Sequence, residues 1–393
     1  MPAGPRSVLS DDLVERCAQR AAGYDRENRF FFEDFGELRE AGYLLAAVPK
    51  EFGGLGLSLA EICQEQRRLA RRSAPTALGI NMHFLATGIA ADLWRKGDGS
   101  QVWILEEAAR GAVFAYGHAE SGNDLEVLYS ATRAAPVEGG HRFFGHRNFG
   151  TLSPVWTWLN IYGLDDADPD NPVMVHAVMP RDTQGYRIVE TWDTLGMRAT
   201  ASQDTLLEGA FAPDRYVIRK RGPGFVGADA FILTMFGWAE PLFANVYVGL
   251  AERARDLAVA RIKGKRSVAE MTRSMAYHPG VQQAIAEIVI EVDGIVAHAD
   301  RIAEDWTNGI DHGAMWPAKL VAAKYHCVEG AFRAVDRAMD VSGGRGMFKG
   351  DELERIYRDA RCGRFHPANA MTAHEVVGKS ALGVLAEAGP RWG

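Results

Sequence analysis

Positive charge, cysteine and long apolar runs are all in short supply, and each shortage excludes something. Lys and Arg number 44 against 51 Asp and Glu, a formal net charge of −7. Nucleic acid as main partner needs a concentrated basic face, which this balance does not offer. Only four cysteines occur, at 17, 63, 327 and 362, none in C-x-x-C or metal-finger spacing. They read as buried thiols in a reducing compartment rather than as ligands or disulfides. No apolar run approaches the roughly eighteen residues of a membrane span. The opening "MPAGPRSVLSDDLVERCAQR" turns polar at once and has no signal-peptide core. Neither G-x-G-x-x-G nor G-x-x-x-x-G-K-[ST] is present, so a Rossmann unit and a phosphate loop both lack support. "HEVVG" at 374–378 lacks the second histidine of a zinc-protease helix, and no other cluster suggests a metal. The expectation is a cytoplasmic enzyme.

What is present describes a globular protein: 393 residues, 47% apolar and 24% charged, enough for roughly two or three modules. Residues 1–112 read as helical. Ser58 with Glu61 three positions on is a capping box, and "GINMHFLATGIAADLWRK" is a largely apolar, buried helix. Residues 113–215 change to short runs rich in aromatic and β-branched residues ("VFAYGH", "HRFFGHRNF", "VWTWLNIYG", "VMVHAVM", "TLLEGAFAP"). Turn chemistry such as "SGND" and "DDADPDNP" separates them, implying a small β module, a barrel or sandwich. Residues 216–393 return to helix. Val281, Ile285, Ile288, Val292, Ile295, Ala299 and Ile302 form one seam; Val321, Tyr325, Val328, Phe332, Val335 and Met339 form another. Such seams predict antiparallel helices in a bundle. Asp351 and Glu354 suggest a second capping box.

Three stretches carry a resemblance: "VPKEFGGLGLSLAEICQEQRRLAR", "TWDTLGMRATASQDTLLEGAFAPDRYVI" and "MDVSGGRGMFKGDELERIYRDAR". In sequence, order and spacing they resemble the acyl-CoA dehydrogenase superfamily of flavoenzymes, over nearly the whole chain. The resemblance implies an α+β multidomain fold: an N-terminal helical domain (1–112), a central β domain (113–215) and a C-terminal four-helix bundle (216–393). It also implies FAD, with FMN as the alternative, and a homodimer or homotetramer. On the matching positions, Tyr116 and Gly117 would meet the flavin edge, and Gly122 and Asn123 a phosphate or substrate. Phe149 would pack on the ring, Thr151 would reach N5, and Gly343 and Gly344 would receive the adenosine half from a neighbouring subunit. Asp340 stands where the family has glutamine, and an acid there disfavours a pyrophosphate. Arg198 fits an ion pair across the joint between domains.

The family's base is a glutamate, poised by desolvation to remove the proton next to a thioester. Its usual place in "CGRFHPANAM" falls at about Pro367. Glu240 lies near a second family location but one residue late, and one residue on a helix is a rotation of ~100°. The plainer reading of Glu240 is a first-turn residue ahead of Pro241. His366 sits beside the displaced base position, which also resembles the flavin monooxygenase branch; the plainer reading is a bend histidine. His83 reads as a core histidine or a cavity residue, and Glu120 as an exposed turn residue.

Three functions follow as expectations. The first is α,β-dehydrogenation of an acyl thioester, with an electron-transfer partner and Glu240 as base. The alternative is a two-component flavin-dependent monooxygenase, a C4a-hydroperoxyflavin hydroxylase or N-oxygenase, fed by a flavin reductase and using His366. The third is a silent flavoprotein or partner subunit.

Overall fold

The computed structural model describes residues 7–224, 229–269, 271 and 273–385. Five helices come first: α1 (Asp11–Glu27), α2 (Phe32–Glu40), α3 (Leu59–Ala70), α4 (Ala74–Arg95) and α5 (Val102–Ala109). The Ser58 capping box forms as its spacing predicts, with side chain and backbone bonded reciprocally to Glu61. α4 is buried from Ala74 to Ala91, so it has no polar face. Its Gly88 is where the bundle comes closest: a Cβ there would lie 2.2 Å from the Trp238 ring.

Nine strands follow: β1 (Phe114–Tyr116), β2 (Ala119–Glu120), β3 (Arg133–Val137), β4 (Gly140–Gly150), β5 (Trp158–Asp165), β6 (Val173–Pro180), β7 (Tyr186–Val189), β8 (Gln203–Pro213) and β9 (Val217–Arg221). They form one mixed sheet in the order β7-β8-β4-β3-β5-β6-β9, with β1 parallel to β5 and β2 antiparallel to β4. β7 and β9 end the sheet, and neither stands out in the sequence. One has four residues, and the other is "VIRKR", the short or charged composition that keeps a sheet edge from pairing with another chain.

The last five helices are α6 (Ala230–Gly264), α7 (Pro279–Thr307), α8 (Trp316–Ser342), α9 (Glu352–Cys362) and α10 (Ala370–Leu382). The seams are core: Ile288, Val292, Ile295 and Ala299 on α7 and Val321, Val328 and Val335 on α8 are buried. α6 is, among the described residues, the one helix long and apolar enough to cross a membrane, and 78% of that stretch is buried within the protein. The second capping box is only half made. Asp351 caps Leu353 N–H, but Glu354 binds Arg358 on the next turn.

Charged groups tie the lobes together. Arg358 binds both Asp25 oxygens, and Arg198 donates to the Asp25 carbonyl at 2.8 Å while pairing with Asp193. Asp92 accepts both the Trp238 and Trp306 indole N–H at 2.8 Å, joining α4 to α6 and α7.

Candidate active site

One half of the candidate site is built by β2 and the end of β4. Ala119 pairs with Asn148 and Glu120 with Arg147, which brings the start of β2 beside the end of β4, while Tyr116 pairs with Asn160 on β5. The β4–β8 register slips between Arg147 and Gly150, and Phe149 takes a left-handed φ of 57°. Such an irregularity re-aims a side chain. Here it leaves Phe149 53% exposed, edge-on to Trp192 at 5.9 Å. Tyr116 is buried against the His118 ring, and Gly117 N–H donates to Asn160.

Thr151 ends a chain of hydroxyls. Its Oγ1 lies 2.7 Å from Ser202 Oγ, which lies 2.7 Å from Thr200 Oγ1, and Thr200 donates to the Met197 carbonyl at 2.9 Å. Each hydroxyl has one proton. With the Thr200 proton on Met197, Ser202 must donate to Thr200 and Thr151 to Ser202. The Thr151 amide already donates to the Phe149 carbonyl at 2.8 Å. What Thr151 has left is an acceptor.

Gly122 takes φ 78° in the turn after β2. The Asn123 side chain is spent inside that turn: its amide donates to Glu120 and to the Glu126 and Tyr129 carbonyls, and its oxygen accepts Leu125 N–H. Glu120, expected to be exposed, has its side chain turned inward, only 2% exposed. It pairs with the fully buried Arg147 at 3.0 Å and accepts from Ser130 and from the Ala131 and Thr132 amides. Those partners hold its carboxyl below the usual range even though burial pushes the other way.

The other half belongs to the bundle. Glu240 lies ten residues into α6, well past the first turn that its position before Pro241 suggested. It is 1% exposed; Oε1 accepts Ala368 N–H at 3.2 Å and Oε2 has no partner. Burial pushes its carboxyl up to about 8, opposed by Lys324. His366 follows the short turn after α9. Its Nε2 shares a 2.7 Å hydrogen bond with Tyr247 Oη, and its ring stacks on Phe243 at 4.9 Å and 17°. Burial, reinforced by Lys324, pushes the imidazole down to about 3. Thr372 on α10 donates to Glu126, which connects this half to the turn after β2.

Gly343 and Gly344 stand apart. They close α8 nineteen residues beyond Lys324, about 28 Å along the helix. His83 is a satisfied core residue. Nδ1 accepts Phe114 N–H at 3.2 Å, so Nε2 carries the proton and donates to the Leu44 carbonyl at 2.9 Å. An open hollow of about 680 Å³ lies elsewhere, beside Arg142, Trp158, Arg181 and Tyr216. It touches none of the residues above.

Sequence reading missed Lys324, Tyr247, Trp192 and Ser202. For Lys324 a signal existed: it falls three residues after Val321 and four before Val328, on the buried seam itself.

A helical domain, a mixed sheet and a helical bundle in this order are the architecture of a class of flavin-dependent oxidoreductases. The chain belongs to the acyl-CoA dehydrogenase family: residues 6–112 match its N-terminal domain and residues 242–371 its C-terminal domain. YdbM of Bacillus subtilis (strain 168), which carries an acyl-CoA dehydrogenase name, is 27% identical over 90% of this chain and 91% of its own. The amino sugar nitrososynthase DnmZ of Streptomyces peucetius is 29% identical over 97% of this chain and 94% of its own. The structure of KijD3 with FMN and dTDP-3-amino-2,3,6-trideoxy-4-keto-3-methyl-D-glucose superposes with a TM-score of 0.86 at 27% identity, covering 100% of this chain and 96% of that one.

Proposed function

We infer that this protein is a flavin-dependent monooxygenase of the acyl-CoA dehydrogenase fold, transferring oxygen to the amine of a small molecule. The observation that carries this reading is the fate of the carboxylate. Removing a proton beside a thioester needs a carboxylate presented to the substrate. Glu240 is 1% exposed and bonded to Ala368 N–H, and proline occupies 367. The Thr151 hydroxyl supports the same reading. Its remaining acceptor suits a ring nitrogen that carries a hydrogen, as in reduced flavin, whereas the bare nitrogen of oxidised flavin needs a donor. The relatives also favour it, since DnmZ is named for amino sugars and KijD3 was solved with an amino sugar nucleotide.

The residues present fit a flavin. Phe149 offers an exposed ring, Tyr116 and Gly117 a flat neighbouring edge, and Thr151 the acceptor. FMN suits the chain better than FAD, because Asp340 is exposed where a pyrophosphate would lie. Gly343 and Gly344 then serve a contact with a neighbouring subunit, in a homodimer or homotetramer. A separate reductase supplies the reduced flavin. Once bound, that flavin supplies the electrons that split oxygen, R–NH2 + O2 + FMNH2 → R–NHOH + H2O + FMN. His366, neutral at working pH, is the group on this chain that would hold the substrate amine by a hydrogen bond, an imidazole pushed down to about 3 being too weak a base to deprotonate an ammonium.

The test mixes the protein with FMN, a reductase, NADH, oxygen and a nucleotide-linked amino sugar, and seeks a product one oxygen atom heavier by mass spectrometry. A panel of amines that gives none, with anaerobic bleaching of bound flavin by an acyl thioester, overturns the reading. Dehydrogenation is the second reading. It is favoured by the unpartnered Oε2 of Glu240 on a carboxyl raised to about 8.

A further inference from the structure

Three elements meet around a lysine and a glutamate shut off from solvent. Lys324 on α8 is 1% exposed, and its Nζ donates to the carbonyls of His366 at 2.7 Å, Ala368 at 2.9 Å and Gly363 at 3.4 Å. An ammonium has three donors, and one loop takes all three. From α6, Glu240 Oε1 takes the Ala368 N–H of the same loop. The segment between α9 and α10 is thus held by its carbonyls through the Lys324 amine and by an amide through a carboxyl oxygen. Burying an ammonium is costly, and apolar packing would secure a loop more cheaply. A buried ammonium at this point therefore suggests a task that packing cannot perform.

His366 is mounted on that loop. Facing it are Tyr247 and Glu240 from α6 and Lys324 from α8. Glu329 of α8 is paired with Arg364, Asp359 and Cys362 of α9 act on Tyr247, and Glu126 reaches in from the turn after β2. The Lys324 ammonium is the charge that acts on the imidazole itself.

We propose that Lys324 is a positioning residue for His366: it fixes the backbone on which the imidazole is mounted and keeps the ring neutral, with Glu240 holding the Ala368 amide of the same loop. The proposal rests on reading His366 as the neutral group that holds the substrate amine, but its test needs neither flavin nor substrate. The His366 ring is followed by NMR against pH in labelled full-length protein, assigned by difference with His366→Asn. In the unsubstituted protein His366 stays neutral throughout the range where an exposed histidine titrates. In Lys324→Met its midpoint rises by about one unit or more, and in Lys324→Arg it stays low.

Lys324→Met leaves Glu240 buried without its cation and is liable to unfold, so Glu240→Gln is measured beside it. That variant keeps the ammonium and an acceptor for the Ala368 N–H, and His366 remains neutral. An ordinary histidine midpoint in the unsubstituted protein, or an unchanged one in Lys324→Met, overturns the proposal. The oxygenation assay separates the two failures. Loss of the His366 shift with oxygen transfer intact removes this proposal alone, and the shift without oxygen transfer to any amine removes the functional reading alone.

Discussion

Lys324 and Glu240 hold one loop from two helices: the ammonium donates to the His366 carbonyl at 2.7 Å, and a carboxyl oxygen accepts the Ala368 amide at 3.2 Å. The carboxylate nearest a family base position is thereby engaged with backbone. Whether it also does chemistry is open to direct experiment.

Glu240→Gln is expected to leave oxygen transfer to an amine within about ten-fold of the unsubstituted protein, because the amide oxygen still accepts from Ala368. A general base lost in the same way costs roughly 10²–10⁴-fold. Steady-state turnover of the two proteins side by side decides between them.

Asp359 predicts a pH dependence of stability. It is buried, accepts Met197 N–H at 2.6 Å, and burial pushes its carboxyl from 3.8 up to about 6. The folded state holds this proton more tightly than the unfolded chain does. Its stabilising contribution is therefore complete below about pH 4 and is lost as pH rises through about 6, a difference of about 3 kcal/mol. Asp359→Asn, which cannot ionise, should remove that slope. Urea midpoints for both proteins, from about pH 4 to about pH 7, would show parallel curves if the carboxyl were ordinary.

His83→Leu should cost roughly 2–4 kcal/mol, since it strands the buried Phe114 amide and Leu44 carbonyl together. Burial pushes this imidazole down to about 4. The unfolded chain therefore takes up this proton first as pH falls, so the loss should be largest at neutral pH and smaller at mildly acidic pH, as judged by chemical denaturation.

Thr151→Val removes the acceptor at the end of the hydroxyl chain and leaves Ser202 without its donor. Reduced flavin should bind about ten-fold more weakly, in line with a hydrogen-bond loss of about 1.5 kcal/mol, and Thr151→Ser should restore it. Equal affinity for all three proteins in an anaerobic titration would show that Thr151 does not contact the cofactor.

The fold was largely legible because its signals are periodic and local. The seams through Ile288 and Val328, the apolar α4 and the Ser58 capping box each follow from spacing over a few turns. β7 and β9 escaped because edge strands are short or charged by necessity. Glu354 escaped because two partners compete for it, and the Arg358 fork on the next turn outbids the cap. Glu120 looked exposed because nothing near it in sequence announces Arg147, twenty-seven residues away.

The candidate site was legible only in part. The sequence by itself determined which residues could serve, since residue type limits chemistry: proline at 367 cannot be a base, and His366, Glu240 and Thr151 can exchange protons or hydrogen bonds. Tertiary structure decided what each has left to offer. Asn123 spends its amide on its own turn, His83 uses both ring nitrogens, and Thr151 keeps an acceptor only because Ser202 and Thr200 take the protons in sequence. Glu240 and Lys324, eighty-four positions apart, meet only when α6 packs on α8. Protonation and hydrogen-bonding capacity depend on burial and on partners brought from distant parts of the chain, and spacing along the sequence does not encode those.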